Sequence, residues 1–180
     1  MSTQRIQKRV SDSAAIMSEI VLPNDGNGLG NLMGGRLLHW MDICASISSR
    51  RHAGMVCVTA GIDSVDFASP IREGEIVILN SHINRAFRTS MEVEINVWAE
   101  ETKTGRRRRC NKAFFTFVAI AEDQKPVSIP ELIPESEAEK TRFEDAGVRR
   151  DFRLFLSGRI STENAPHLQK YLETRRHSES

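Results

Sequence analysis

The stretch PNDGNGLGNLMGGRLLHWMD, residues 23–42, holds the residues best suited to chemistry in this chain of 180 residues. Asn and Gly crowd its first half and an amphipathic helix pattern fills its second. Gly34 and Gly35 stand where that helix must begin. The first turn of a helix carries amide N–H groups with no partner inside the helix, which suits an anionic oxygen. Asp42 is a carboxylate among apolar neighbours further along, where burial is costly unless the group has a task. Asn27 lies in the loop ahead. These types together suit polarising a carbonyl and aiming a water at it.

Each residue also has a plainer use. An Asn in a Gly-rich loop is commonly a turn residue. A glycine pair can serve only to bring a helix close to a sheet, and a single helical Asp is more often a surface or pairing group. His39 and His52 flank the helix and read as packing or capping residues, and His82 falls mid-strand. Cys44 is two residues from Asp42, but nothing near it in sequence would activate a thiolate. Ser46, Ser48 and Ser49 lack the Gly-x-Ser-x-Gly elbow of a serine hydrolase.

The elements that must position these groups follow from periodicity. Residues 14–22 read as a first strand ended by Pro23. Apolar residues Leu37, Trp40, Met41, Cys44, Ala45 and Ile47 form one helical stripe over 34–52, with Gly54 as a stop. Residues 56–67 and 75–87 read as strands, and 91–98 alternates cleanly. Met91, Val93, Ile95 and Val97 take one face, with Glu92, Glu94 and Asn96 on the other. Residues 112–121 are nearly all apolar. Short connections imply antiparallel hairpins. A sheet with one apolar face then wraps the helix. The implied organisation is a polar lead over 1–12, one domain over 13–135, a charged helix over 136–157 and a flexible tail over 158–180.

Bulk properties exclude several classes. A net charge of +1 gives no global field for nucleic acid or an anionic membrane. The three cysteines form no CxxC or Cys/His cluster, so neither a disulfide framework nor a metal site is indicated. The polar start lacks a signal-peptide core. No run approaches the ~18 apolar residues of a membrane helix. A reducing, cytoplasmic setting is the default expectation.

NDGNGLGNLMGGRLLHWMD resembles the N-D-x-N-x-x-G-x-x-x-G-G-x-x-x-x-x-M-D signature of the acyl-CoA thioester hydrolases of the hotdog superfamily, in their cytosolic branch. DSVDFASPIREGEIV, FRTSMEVEINVWAE and KAFFTFVAIAEDQKPVSIPEL resemble later segments of that branch, so the likeness runs from about residue 12 to 135. It implies an α+β hotdog fold, an antiparallel sheet of about six strands around one long helix. It implies a dimer with active sites at its interface, often assembled further into a hexamer, and hydrolysis of fatty acyl-CoA. The family's catalytic carboxylate falls on Asp42 and its asparagine on Asn27, contributed by opposite subunits, with the glycine pair on Gly34 and Gly35. Met33 stands where many members carry His or Phe, and takes no polar role.

In that frame Asp42 activates water, with nucleophilic attack through a mixed anhydride as the lesser alternative, Asn27 positions water or thioester, and the Gly34–Gly35 amides form an oxyanion hole. The phosphates of coenzyme A call for arginines, so Arg85, Arg88 and the run Arg106–Arg109, above all Arg108, are candidates, with hydroxyls from Thr89 and Ser90. No cofactor is needed, since coenzyme A is itself part of the substrate. Two other readings share the fold. One is a regulatory module that binds acyl-CoA or nucleotide without catalysis, and the other a dehydratase acting on an acyl thioester.

Overall fold

The computed structural model describes residues 5–63, 65, 67 and 69–178, the last three by backbone alone. Residues 1–4 of the expected lead, Ser64 and Asp66 of the expected strand 56–67, and residues 179–180 of the expected tail lie outside the described residues. The elements in chain order are β1 (Gln7–Arg9), β2 (Ala15–Ile20), α1 (Gly34–Ala53), β3 (Cys57–Ile62), β4 (Ile76–Ala86), β5 (Ser90–Glu100), β6 (Arg107–Ala119), β7 (Glu131–Ile133), α2 (Glu137–Leu156) and α3 (Pro166–Ser178). They fall into two compact units, one up to Ile133 and one from Pro134.

In the first unit, five strands form an antiparallel sheet in the order β2-β4-β5-β6-β3. The inward rows are apolar: Val77, Leu79 and Ile83 on β4, Met91, Val93, Ile95 and Val97 on β5, and Phe115 and Phe117 on β6, all buried. α1 packs against all five strands and buries Leu37, Trp40, Met41, Cys44 and Ala45 against them. Each fully buried large side chain contributes about 1.5–3 kcal/mol from apolar area. Gly54 ends α1 with φ +70°, a left-handed cap open to glycine at little cost. This is the α+β arrangement of a hotdog fold, with five strands in the main sheet rather than six. Among the described residues no helix is long and apolar enough to cross a membrane.

Three features depart from or go beyond the sequence reading, each for a long-range reason. The polar lead is not featureless: β1 pairs in parallel with β7 as a separate two-stranded sheet. Arg5 reinforces that pair through Glu131 at 2.8 Å and the Phe87 carbonyl at 2.9 Å. The polar face of β5 is not solvated either. Glu92 and Glu94 are buried, with the Asn84 amide donating to both at 3.1 and 3.2 Å and Lys112 lying 2.9 Å from Glu94. Burial works to raise the Glu94 pKa, but Asn96, Lys112 and His82 outweigh it and hold the carboxyl below its ordinary value. Period-two alternation identifies a face without saying whether that face is covered.

The third departure is α3, which occupies the expected flexible tail. In the second unit, Ser136 and Glu139 cap α2 reciprocally. The Asp151 carboxylate of α2 then accepts the His167 and Leu168 amides at 2.8 and 3.3 Å, satisfying the start of α3. A cap supplied from sixteen residues away leaves no local sequence signal. Asp151→Ala is expected to cost about 0.5–2 kcal/mol at this helix start. Hydrogen exchange at His167 and Leu168 should accelerate while β5 keeps its protection. Unchanged exchange at those two amides would refute the cap.

Candidate active site

After β2 the chain turns through a tight loop closed by a bridge between Gly26 and Leu32. The Asn27 N–H donates to the Asn31 carbonyl at 2.7 Å and the Gly30 N–H donates to the Asn27 carbonyl at 3.0 Å. Gly30 sits at φ +69°, which a larger residue adopts only with strain. A strap over residues 69–75 lies along this loop. The Leu32 N–H donates to the Ile71 carbonyl at 2.7 Å and the Glu73 N–H to the Gly30 carbonyl at 3.0 Å.

These contacts orient the Asn27 side chain. Its Oδ1 accepts the Leu29 amide at 2.9 Å and the Asn31 amide at 3.3 Å. Both partners are donors, so the oxygen must face the loop and the NH2 end must face away. Asn27 therefore offers a donor to anything outside the loop.

Beside it, α1 begins without a side-chain cap, because Met33 at the N-cap has no acceptor. The first helical bond closes from the Leu37 N–H to the Met33 carbonyl at 3.0 Å. The amides ahead of it, those of Gly34 and Gly35, lie at the positive end of the helix dipole. Asn27, Gly34, Leu37, Phe67 and Ser69 line one cavity of about 310 Å³. The two glycines differ in their surroundings. A Cβ on Gly34 would stand 3.2 Å from the Phe67 ring, whereas a Cβ on Gly35 would meet nothing within 4 Å. Packing within the chain therefore accounts for Gly34 and leaves Gly35 facing open space.

Asp42 does not join this group within one chain. It is half-buried on α1, eight residues beyond Gly34, which is about 12 Å along a helix axis, and it does not line the cavity. Its Oδ1 accepts the Thr59 hydroxyl of β3 at 2.5 Å, while its Oδ2 has no hydrogen-bond partner among the described residues. Thr59 is a partner the sequence reading missed. It lies on another element seventeen residues away, with no motif to mark it. β3 is an edge strand, and Val58 and Ile62 beside Thr59 are exposed. An unpaired apolar edge is a template for another strand.

The candidate phosphate ligands do not converge either. Arg85, Arg88, Thr89 and Ser90 gather at the β4–β5 turn, with the Arg85 guanidinium 5.5 Å over the Phe87 ring and Arg88 exposed. Arg108 pairs with Ala99 at the far end of β5, nine residues away or roughly 30 Å at strand rise. There it grips Glu75 through both Nη atoms at 2.6 Å and the Pro70 carbonyl at 2.7 Å. The ion pair holds the Glu75 carboxyl below its ordinary pKa and raises that of Arg108. Arg108 thus anchors the strap that lies along the Asn27 loop.

Of the residues read as plain, His52 and Cys44 are buried. His52 is buried with Nε2 3.0 Å from the Pro130 carbonyl, and burial lowers its pKa. Cys44 is buried against Ser81, and burial raises its thiol pKa.

Comparison with known proteins settles the family. Residues 29–106 match the Thioesterase superfamily. The uncharacterized acyl-CoA thioester hydrolase YkhA of Bacillus subtilis is 40% identical over 128 residues, covering 71% of this chain and 74% of that one. The chain belongs to the acyl-CoA thioester hydrolases of this superfamily. Acyl-coenzyme A thioesterase 11 of Mus musculus is 42% identical over 144 residues, 80% of this chain, and the chain spans about a quarter of that protein's length, 24%. Among solved structures, a hexameric acyl-CoA thioesterase in its apo form superposes with a TM-score of 0.81 at 36% identity, covering 84% of this chain and 97% of that one. An acyl-CoA hydrolase of Staphylococcus aureus, solved with butyryl coenzyme A, coenzyme A and coenzyme A disulfide, superposes at 0.77 with 31% identity, covering 84% and 94%. That enzyme has also been solved with an aspartate, an asparagine or a threonine replaced by alanine.

The open face at Gly35 generates a prediction. Gly35→Ala should leave the melting temperature unchanged or slightly higher, since Ala is the better helix former. In an acyl-CoA hydrolysis assay its kcat/KM should fall by about tenfold or more if that open space at the helix start is the path of the substrate. Full activity in Gly35→Ala would show that the space is unused.

Proposed function

We propose that this chain hydrolyses fatty acyl-CoA thioesters to the free acid and coenzyme A. It works as a homodimer in which Asn27 and the start of α1 from one protomer face Asp42 of the other. The carrying observation is the split within one chain: Asn27 and Gly34 share a cavity, and Asp42, the candidate base, lies outside it. The exposed β3 edge offers the surface on which a second copy would complete the sheet. Further assembly into a hexamer fits the same scheme. Three buried free cysteines, Cys44, Cys57 and Cys110, fit a reducing, cytoplasmic setting.

Spacing in the Staphylococcus aureus enzyme supports the residue roles. The asparagine, aspartate and threonine substituted there are separated by fifteen and seventeen residues, and Asn27, Asp42 and Thr59 keep the same intervals. In the reaction, the thioester carbonyl oxygen accepts from the Asn27 NH2 and from the Gly34 and Gly35 amides. Thr59 occupies Asp42 Oδ1 and leaves Oδ2 to take a proton from water. The water oxygen bonds to the carbonyl carbon, the tetrahedral oxyanion is held by those donors, and collapse breaks the carbon–sulfur bond. The thiolate leaves unprotonated, and Asp42 then gives its proton to that sulfur, which yields the coenzyme A thiol and restores the carboxylate. Arg88 with Thr89 and Ser90 holds phosphate oxygens of the coenzyme, and Arg108 acts through its strap. The scheme uses no metal and no added cofactor.

Thiol release captured with dithionitrobenzoate over a panel of acyl-CoAs tests the proposal. Asp42→Asn should lower kcat by about 10²–10⁴, and Asn27→Ala by about 10²–10³, both with native melting temperatures. Undiminished release by Asp42→Asn contradicts it. Tight coenzyme binding without release marks a binding module, and hydration of enoyl-CoA marks a dehydratase.

A further inference from the structure

Asp25, two residues before Asn27, is buried, and each of its four polar groups is engaged. Its N–H donates to the Leu22 carbonyl at 2.9 Å and its carbonyl accepts the Met33 N–H at 2.9 Å. Its Oδ2 accepts the Leu22 N–H at 3.2 Å, and its Oδ1 takes Arg36 Nε at 2.8 Å. One residue therefore joins the end of the incoming strand segment, the residue that opens α1 and the first turn of α1 itself. It stands at the neck of the loop that carries Asn27.

Arg36 is in an unusual place for a cation. The first turn of a helix repels positive charge, so Arg36 adds nothing to α1 by itself. Its guanidinium Nε instead crosses to the loop and reaches the carboxylate of Asp25, whose side chain is only 8% exposed. A charge pair so placed resists rotation of the loop about its neck, because a buried carboxylate that lost its partner would be left uncompensated.

We propose that the Asp25–Arg36 pair is a clamp that sets the Asn27 amide against the start of α1, which makes both of them positioning residues. Neither touches the reacting atoms. They act by holding two donors of one oxygen site at a fixed separation, where small misplacement is expensive in rate. The inference rests on the hydrolase reading above.

The test uses Asp25→Asn, which keeps the shape and the acceptor for the Leu22 amide, and Arg36→Gln on the half-exposed side, singly and together. Each single variant should lower kcat about ten- to a hundredfold while KM stays within about threefold. The double variant should be no worse than the poorer single, since both break one interaction. Hydrogen exchange of the amides from Asn27 to Met33 should speed up about tenfold or more, with β5 unchanged. Wild-type kcat in the folded variants overturns the clamp, and so does a lowered kcat with unchanged loop exchange. If the native chain releases no thiol from any acyl-CoA, the hydrolase reading fails instead, and loop exchange alone then decides whether the clamp exists.

Discussion

The first turn of α1 carries amide N–H groups that no side chain caps, and the rest of the site is organised around that deficit. A helix start normally recruits Ser, Thr, Asp or Asn to satisfy those donors. Here the position is Met33, which has nothing to offer. The helix is long and buried along one stripe against five strands, so its stability does not depend on a cap. The sheet thereby holds a positive helix end at the surface, ready for an oxygen brought by something else.

The loop ahead of α1 supplies a second donor to the same place. Two backbone amides occupy the Asn27 side-chain oxygen, Oδ1, and turn its NH2 end outward. The loop is in turn held from two sides, by Asp25 at its neck and by the 69–75 strap, which Arg108 fastens to β6 through Glu75. Rigid donors are what an oxyanion site requires, because donors that must reorganise during reaction lose most of their value.

The sheet and the central helix were legible in the sequence because each rests on a local period: Met91 to Val97 for β5, Leu37 to Ala45 for α1. The hotdog arrangement came from motifs with fixed spacing, which also nominated Asn27, Gly34, Gly35 and Asp42 as candidates. What escaped depends on partners distant in sequence. Thr59 reaches Asp42 from another element, β1 needs β7, α3 needs the carboxylate of Asp151, and Arg108 needs Glu75, thirty-three residues away. Basic residues read as phosphate ligands divide between two ends of one strand, because antiparallel pairing separates groups that look near in a list of arginines. Glu92 and Glu94 show the same limit, since alternation names their face without naming its cover.

Distance along α1 separates the proposed groups within one chain: Asn27 and Gly34 stand at the helix start, Asp42 about two turns on, and Asp42 lies beside a strand edge that is unpaired among the described residues. A shared site explains this arrangement with no further assumption. The most direct measurement mixes two inactive variants, Asn27→Ala and Asp42→Ala, under conditions that let subunits exchange. Across a two-fold interface each mixed dimer rebuilds one intact site, so thiol release should return to about a quarter of the wild-type rate. A mixture that stays as inactive as its parents, with exchange of subunits demonstrated, would contradict a site built from two chains.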